Sequence, residues 1–299
     1  MSVKKVTLLG ADGTPGPGIL EGLLHNNFEV TILKRENSKS KDDYPPGVQV
    51  KKVSEKFEVD EVTEAIHDQD GVVVAIKGGQ IDIQENIARA CINAKVKRFI
   101  PADFGSCDSS TERAGKLAPF YKAKTELRER LMKLAKENPD FSWTSLVCGH
   151  FFDWDPAFLH IWVKERKADV LDDGEVRWST STLGRTGEAT ARIFLNLEAT
   201  KNKMIFVQSF CVSENEVVKA YEKASGAKFE VNKLKATEYE EQEKKKRDDG
   251  DDDAQENLVW ILGTEDANWE NRDTFAMKDL GLENEDLDTV VKGIVSRFQ

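Results

Sequence analysis

Cysteine and histidine are scarce in this chain of 299 residues, which contains four of each. The four cysteines are scattered, without a C-x-x-C pair or another spacing typical of zinc ligands. The four histidines likewise form no H-x-x-x-H pattern. We therefore expect free thiols in a reducing cytoplasm and no protein-bound metal.

The sequence also lacks long apolar runs and an excess of positive charge. No stretch approaches the roughly 18 apolar residues of a membrane span, and the first residues lack the apolar core of a secretory signal. The net charge of -11 disfavours a surface for nucleic acid or for an anionic membrane. We expect a cytoplasmic protein, a monomer or homodimer, whose partner is a small-molecule substrate.

The first half of the chain alternates short apolar segments with amphipathic ones. Strands are predicted over residues 3–9, 29–33, 48–53, 71–76, 96–100 and 142–148. Near-continuous apolar strands separated by helices are typical of a parallel sheet covered on both faces. The pattern predicts an α/β fold with a Rossmann-type doubly wound parallel sheet. In such a sheet, ligands bind at the carboxyl ends of the strands.

This alternation weakens after Cys148. We assign residues 1–150 to an NAD(P)-binding Rossmann domain and residues 151–299 to a smaller C-terminal α+β substrate lobe. The lobe is expected to be interleaved with the first domain and not to fold independently. Residues 169–180 resemble a hairpin around Asp173-Gly174. The charged run at 244–253 is interpreted as a solvated, mobile loop.

The strongest motif is the sequence GADGTPG at residues 10–16, directly between the first predicted strand and a helix. Its spacing is Gly-x-x-Gly-x-x-Gly, not the Gly-x-Gly-x-x-Gly of the dinucleotide fingerprint. Glycines let the backbone turn tightly and approach a pyrophosphate, and a helix N-terminus supplies free N–H groups. The alternative is a turn that only ends a strand. We predict a dinucleotide held by Gly10, Asp12, Gly13, Thr14, Pro15 and Gly16.

The second predicted strand indicates which dinucleotide binds. It ends in Lys34-Arg35, where a site for NAD usually has an acidic residue. A guanidinium binds a 2′-phosphate in a bidentate manner, and in an acidic protein this basic cluster favours NADPH. We predict that Arg35 and Lys41 bind that phosphate. The alternative is a solvated basic loop in which Glu36 accepts the ribose hydroxyl of NAD.

Two later segments carry a family resemblance. Residues 98–105 read RFIPADFG, and residues 120–124 read FYKAK at the start of a long helix. Together with the glycine turn, Arg35 and Gln84, they resemble the NmrA-like, isoflavone-reductase-like branch of atypical short-chain dehydrogenases. That branch has R-F-x-P-S-E-F-G, from which the chain departs at Ala102-Asp103. The Tyr and Lys pattern of ordinary short-chain dehydrogenases is missing.

The resemblance implies an NADPH-dependent oxidoreductase of secondary metabolism in which a helix lysine is the acid/base group. Lys122 is the predicted catalytic residue, and Lys124 is the second candidate. An ammonium stabilises the charge that hydride transfer leaves on a substrate and donates the proton. The alternative for Lys122 is a solvated helix lysine. The alternatives for the protein are a non-catalytic NAD(P)-sensing regulator of the NmrA type, which would not need the lysine, and a carrier of an apolar ligand.

The remaining predicted site residues follow the later strands. Lys77, Gly78, Gln84 and Phe104 are expected beside the cofactor, although turn glycines and exposed polar residues would produce the same pattern. An aromatic segment after the sixth strand is expected to wall a pocket for a small hydrophobic or aromatic substrate. The alternative for this segment is plain core with a structural histidine. Its predicted substrate residues are His150, Phe151, Phe152 and Trp154.

Overall fold

The computed structural model describes residues 3–40 and 42–298. Five strands form its central sheet: β1 (Lys5–Leu9), β2 (Glu29–Arg35), β3 (Gln49–Val53), β4 (Gly71–Val74) and β5 (Arg98–Ile100). All of them are parallel, in the order β3-β2-β1-β4-β5. The strand order reverses between β1 and β4, which is where open α/β sheets bind their ligands. The predicted Rossmann-type sheet is confirmed.

Helices cover both faces of this sheet because successive strand residues point to opposite sides. Leu8 and Ile32 belong to the apolar core on one face, and Leu9 and Leu33 to the core on the other. The helices that supply these two cores are α1 (Gly16–His25), α2 (Val59–Ala65), α3 (Ile81–Asn93), α5 (Phe120–Glu137) and α6 (Leu183–Leu195). Helix α4 (Glu112–Leu117) contributes to a third apolar core, which is formed mostly by the second half of the chain.

Helix α6 comes from the second half of the chain but packs on α1, the helix that follows the glycine turn. The two backbones approach so closely that a Cβ atom on Gly187 would lie 1.8 Å from the carbonyl oxygen of Gly18. A Cβ on Gly22 would lie 2.4 Å from the Gly187 carbonyl carbon. Glycine at this crossing therefore sets the distance between the helices.

The remaining elements form smaller sheets and a helical layer. Beside β5, the parallel pair β6 (Thr144–Val147) and β11 (Lys203–Phe206) continues the central layer through a bridge between Phe99 and Trp143. The other strands are β7 (His150–Phe151), β8 (Ile161–Trp162), β9 (Lys167–Leu171), β10 (Arg177–Ser181), β12 (Phe210–Ser213) and β13 (Glu230–Leu234). The other helices are α7 (Glu214–Ser225), α8 (Ala236–Asp248), α9 (Asp252–Glu265), α10 (Leu287–Phe298) and a short 3₁₀ helix (Pro156–Leu159).

Two predictions for the second half are wrong. Strands β9 and β10 do not form a hairpin, because β9 pairs with β8 and β13 while β10 pairs with β7 and β12. The charged run at 244–253 is mostly helical, since it ends α8 and begins α9. Its lysines pair within α8, as in the 2.6 Å ion pair between Lys246 and the buried Glu243. The side chain of Asp251 caps α9 by accepting from the N–H groups of Asp253 and Ala254.

Within residues 3–40 and 42–298, no helix is long and apolar enough to cross a membrane. In the same part of the chain, no three His, Cys, Asp or Glu side chains are grouped so that they would hold a metal ion.

Glu214, the first residue of α7, is a carboxylic acid in the core of the second half. Its Oε2 accepts a 2.9 Å hydrogen bond from the Leu171 N–H, and its Oε1 has no hydrogen-bond partner among the described residues. Burial raises the pKa of Glu214 to about 8, against the opposing effect of the Leu171 N–H. The folded protein therefore keeps a proton here that the unfolded chain, with a pKa near 4.5, releases.

Because of Glu214, the free energy of unfolding should therefore decrease as the pH rises from 4.5 towards 8. We expect Glu214→Gln to unfold at a higher temperature than the wild type at pH about 8.5, by roughly 5 °C for a few kcal/mol. The two proteins should converge near pH about 4, where both carry a neutral side chain. Thermal unfolding across this pH range, with the exposed Glu238→Gln as control, checks the expectation. A difference that does not vary with pH would contradict it.

Candidate active site

A cleft runs along the carboxyl ends of β1, β2, β4 and β5. It consists of a smaller cavity of about 310 Å³ beside the end of β2 and a larger one of about 800 Å³ beside the loops after β4 and β5. Gly10, Ile76 and Lys77 line both cavities, which makes the cleft continuous. The predicted position of the site at the sheet edge agrees with this cleft.

The glycine turn forms the floor where the two cavities meet. Gly10 has a φ of +92°, and a Cβ there would lie 2.3 Å from the Ala75 carbonyl oxygen. A Cβ on Gly16 would lie 2.3 Å from the Gly10 carbonyl oxygen. Gly13 instead borders the larger cavity, where a Cβ would approach nothing closer than 3.4 Å. Gly10 and Gly16 thus shape the turn, and Gly13 leaves its surface open.

The other residues of the turn face the cleft as predicted. Thr14 and Pro15 line the larger cavity, and Asp12 lines the smaller one. Within the described part of the chain, the N–H groups of Asp12 and Thr14 donate no hydrogen bond. Free amides at the start of a helix attract an anion. The turn therefore offers donors of the kind that a diphosphate accepts.

Arg35, at the end of β2, is exposed and lines the smaller cavity. Its guanidinium has no hydrogen-bond or ion-pair partner among the described residues. Lys41, the second residue predicted to bind a phosphate, lies outside the described residues. The acidic alternative Glu36 is not among the described side chains that line either cavity.

Lys34 precedes Arg35, but its ammonium is bound by other side chains of the protein. Its ammonium lies 3.2 Å from both Asp12 and Asp42 and 3.0 Å from the Tyr44 hydroxyl, with its side chain buried. Burial acts to lower the pKa of Lys34, but Tyr44 and the two carboxylates outweigh burial and hold it above its usual range. This cluster ties the loop after β2 to the glycine turn, and it leaves Arg35 without a partner among the described residues.

Two predicted residues of the loop after β4, Lys77 and Gly78, border the cleft. Lys77 is exposed and lines both cavities. A Cβ on Gly78 would lie 2.9 Å from the Ala102 carbonyl oxygen and 2.9 Å from Cε of Lys124. Gly78 borders the larger cavity. Its lack of a side chain makes room for Lys124 as well as for a ligand.

Gln84 does not face the cleft, which corrects its predicted contact with the cofactor. The side chain is fully buried in α3, where its Oε1 accepts a 2.8 Å bond from the Ala102 N–H and its Nε2 donates to the Gly78 carbonyl. Gln84 thus joins the loops after β4 and β5. Phe104 does line the larger cavity, with a φ of +40° that is uncommon for phenylalanine.

Helix α5 brings Lys124, and not Lys122, to the cleft. Its buried side includes Tyr121, Lys124 and Arg128, which recur at the three- and four-residue spacing of one helix face. Lys122 lies on another side, exposed to solvent, with its stem near Gly115. The predicted lysine is therefore corrected, because two residues along a helix rotate a side chain by about 200°.

Lys124 is 8% exposed and lines the larger cavity. Its ammonium donates to the main-chain carbonyl of Asp103, lies 3.6 Å from Asp103 Oδ1 and is 5.0 Å from the centre of the Tyr121 ring. The walls around it are mainly apolar. They include Phe104, Phe120 and Phe151.

Only Phe151 of the four predicted substrate residues lines the cleft. His150 is buried among Phe158, Trp178 and the carbonyl of Trp260, and burial lowers its pKa to about 4. A Cβ on Gly263 would clash with this imidazole, so α9 closes it off from the cleft.

The other two aromatic residues of this segment are also elsewhere. Phe152 is fully buried against Phe210 in the apolar core of the second half of the chain, with ring centres 4.8 Å apart. Trp154 is 44% exposed and packs on Phe158 instead of lining either cavity.

Phe120 and Asp103 are among the residues of the larger cavity that were not predicted from the sequence. Phe120 is 40% exposed at the start of α5 and packs on the Tyr121 ring. Asp103 was noted only as a departure from the family pattern, but it is buried beside Lys124. A charged residue directly after a buried strand, at the ligand-binding sheet edge, was a usable signal for Asp103.

Comparisons with known proteins agree with this architecture. A model of the NmrA-like family matches residues 2–246 of the chain. The chain is 35% identical over 237 residues to oxidoreductase aprR of Aspergillus flavus, covering 78% of each protein.

Solved structures share the fold. The binary complex of leucoanthocyanidin reductase with NADPH, from Vitis vinifera, is similar with a TM-score of 0.78 at 16% identity, over 98% of this chain and 99% of that one. AtPrR2 with NADP+ and (+)-pinoresinol is similar with a TM-score of 0.77 at 20% identity and the same coverage. With a family match over most of its length and a relative at 35% identity, the chain belongs to the NmrA-like family.

Proposed function

We propose that this protein is an NADPH-dependent reductase of a small hydrophobic or aromatic metabolite, with Lys124 as its acid/base residue. The observation that carries the proposal is the position of Lys124. Its amine lies in a mainly apolar cavity that is continuous with the glycine turn. The proposal extends the name of the Aspergillus flavus relative, an oxidoreductase, to this chain.

Separate regions of the cleft suit separate groups of a nicotinamide dinucleotide phosphate. The open surface of Gly13 and the free N–H groups of the turn suit a diphosphate. The unpaired Arg35 suits a further phosphate, because a guanidinium binds phosphate oxygens in pairs. Lys77 adds positive charge where the two cavities meet. When bound, NADPH supplies a hydride to the substrate.

Lys124 would supply the proton. The acceptance of a hydride by a carbonyl, imine or conjugated carbon leaves negative charge on the substrate, and an ammonium stabilises this charge before it donates. One N–H bond of Lys124 breaks as the substrate gains its proton, and the neutral amine recovers a proton from solvent. In an apolar cavity this electrostatic effect is stronger than in water.

The apolar walls support a hydrophobic or aromatic substrate. Phe104, Phe120 and Phe151 offer ring surfaces to a flat molecule and limit the water around Lys124. A regulator that only senses a nucleotide has no use for an ammonium in such a cavity. The position of Lys124 therefore favours the reductase over the sensor.

Nucleotide binding and turnover, measured together, test this function. We expect tryptophan fluorescence to show tighter binding of NADPH than of NADH, and NADPH to be oxidised with at least one member of a panel of enones, imines and aryl ethers. Tight NADPH binding without turnover of any such compound would favour the sensor. No binding of either nucleotide would overturn the whole proposal.

A further inference from the structure

Asp103 is a buried carboxylate that the proposed reaction does not use directly. Its side chain is 2% exposed, and its Oδ1 has no hydrogen-bond partner among the described residues. A buried polar atom without a hydrogen bond is uncommon and needs an explanation. Oδ1 faces Lys124, whose Nζ lies 3.6 Å away.

The other oxygen of Asp103 is firmly held. Oδ2 accepts a 2.6 Å bond from Nη1 of Arg128 and a bond from the Ser145 hydroxyl. Arg128 in turn donates to Ser109 Oγ at 2.9 Å and to Thr125 Oγ1 at 3.0 Å. The ion pair with Arg128 and these hydrogen bonds fix the orientation of the carboxylate. Oδ1 is therefore a negative charge held in one place beside the lysine.

The other titratable groups that face Lys124 are uncharged near neutral pH. Burial raises the pKa of Cys107 and of Cys148 to about 12, and it raises the pKa of Tyr121 well above its usual value. Lys77 lines the same cavity but carries positive charge. Among the described residues that line this cavity, Asp103 is thus the one carboxylate.

From this arrangement we infer that Asp103 is a positioning residue, which holds Lys124 in its charged form and aims it at the substrate. The catalytic part of this inference rests on the proposed function. We infer that Asp103 acts through Lys124, because its Oδ1 is buried and lies 3.6 Å from the ammonium. The hydrogen bond to the main-chain carbonyl and the ion pair with Oδ1 hold the ammonium in place, and N–H bonds remain for the cleft.

The first test uses the protein without cofactor. Only a neutral amine reacts with acetic anhydride, so the rate of acetylation at Lys124, followed by peptide mass spectrometry across pH, reports its charge. Removal of an opposite charge within about 4–6 Å shifts the protonation equilibrium of an amine by about one pH unit or more. We expect Asp103→Asn to raise the rate at Lys124 about tenfold at pH about 8.

Asp108→Asn is the matched control. Asp108 is also a buried carboxylate after β5, paired with Arg272 at 2.5 Å, but it lies outside the cavity lining. In this variant, acetic anhydride should acetylate Lys124 at the wild-type rate. If Asp103→Asn unfolds because Arg128 is left unpaired, the double variant Asp103→Asn with Arg128→Gln neutralises both partners and makes the same test.

The second test uses turnover of NADPH with a compound that the wild type reduces. In Asp103→Asn, kcat should fall about 100-fold, and the alkaline limb of its pH profile should move down by about one pH unit. Asp103→Glu, which keeps the charge, should restore the limb to its wild-type position. Acetylation rates and pH profiles that match those of Asp108→Asn would overturn the inference, while a wild type without any turnover would instead count against the proposed function.

Discussion

Lys124→Ala should lose NADPH-dependent turnover by about three orders of magnitude, since removal of a general acid costs about 10²–10⁴-fold. In the proposed reaction the ammonium of Lys124, which lines the larger cavity beside its apolar walls, donates the proton. The glycine turn and Arg35 are untouched by this change. We therefore expect the affinity for NADPH, measured by tryptophan fluorescence, to stay within about threefold of the wild-type value.

Lys122→Ala provides the control two positions earlier on the same helix. It removes the same functional group from an exposed position with its stem near Gly115, outside the cleft. Turnover should stay within about twofold of the wild type, because surface substitutions away from a site have small effects. The opposite result, with turnover lost in Lys122→Ala and kept in Lys124→Ala, would show that the cleft lysine is not the proton donor.

Arg35→Ala should weaken the binding of NADPH about 100-fold and leave the binding of NADH nearly unchanged. Arg35 is exposed in the smaller cavity with no partner among the described residues, so its guanidinium is available to a phosphate. A hydrogen bond to a charged group contributes about 1.5–3 kcal/mol, which corresponds to a factor of about 10–100. Fluorescence titrations with both nucleotides give the ratio directly.

Lys39→Ala is the matched control for Arg35. Lys39 belongs to the same basic segment and is exposed, but it does not line either cavity. Its loss should change the two affinities equally and only slightly, through the general field of the protein. Equal weakening of NADPH and NADH in Arg35→Ala would remove this residue from phosphate recognition.

The central sheet was predictable because its signals are local. Each strand carries its own apolar run, and the glycine turn sits directly between β1 and α1, so no distant contact is needed to place it. The hairpin prediction for β9 and β10 failed because strand pairing depends on distant partners. Strand β13, more than 50 residues later, occupies the position beside β9 that β10 was expected to fill.

The site could be predicted only in part for a similar reason. The lysine that faces the cleft was predictable from the helix itself, since Tyr121, Lys124 and Arg128 share a face and Lys122 does not. The burial of His150 was not available, because it depends on the carbonyl of Trp260 and on the small Gly263, both in α9. Gln84 likewise joins two loops whose proximity is set by sheet order alone.

The glycine-to-glycine crossing of α1 and α6 ties nucleotide recognition to the far half of the chain. Helix α1, which follows the free amides of the glycine turn, rests on Gly187, and a methyl group at that position would overlap the backbone of Gly18. Any added bulk would push α1 outward and tilt the end of the helix that faces the diphosphate. Loss of cofactor affinity would then arise from a residue far from the cleft, as a mechanical effect of helix spacing and not of lost contacts.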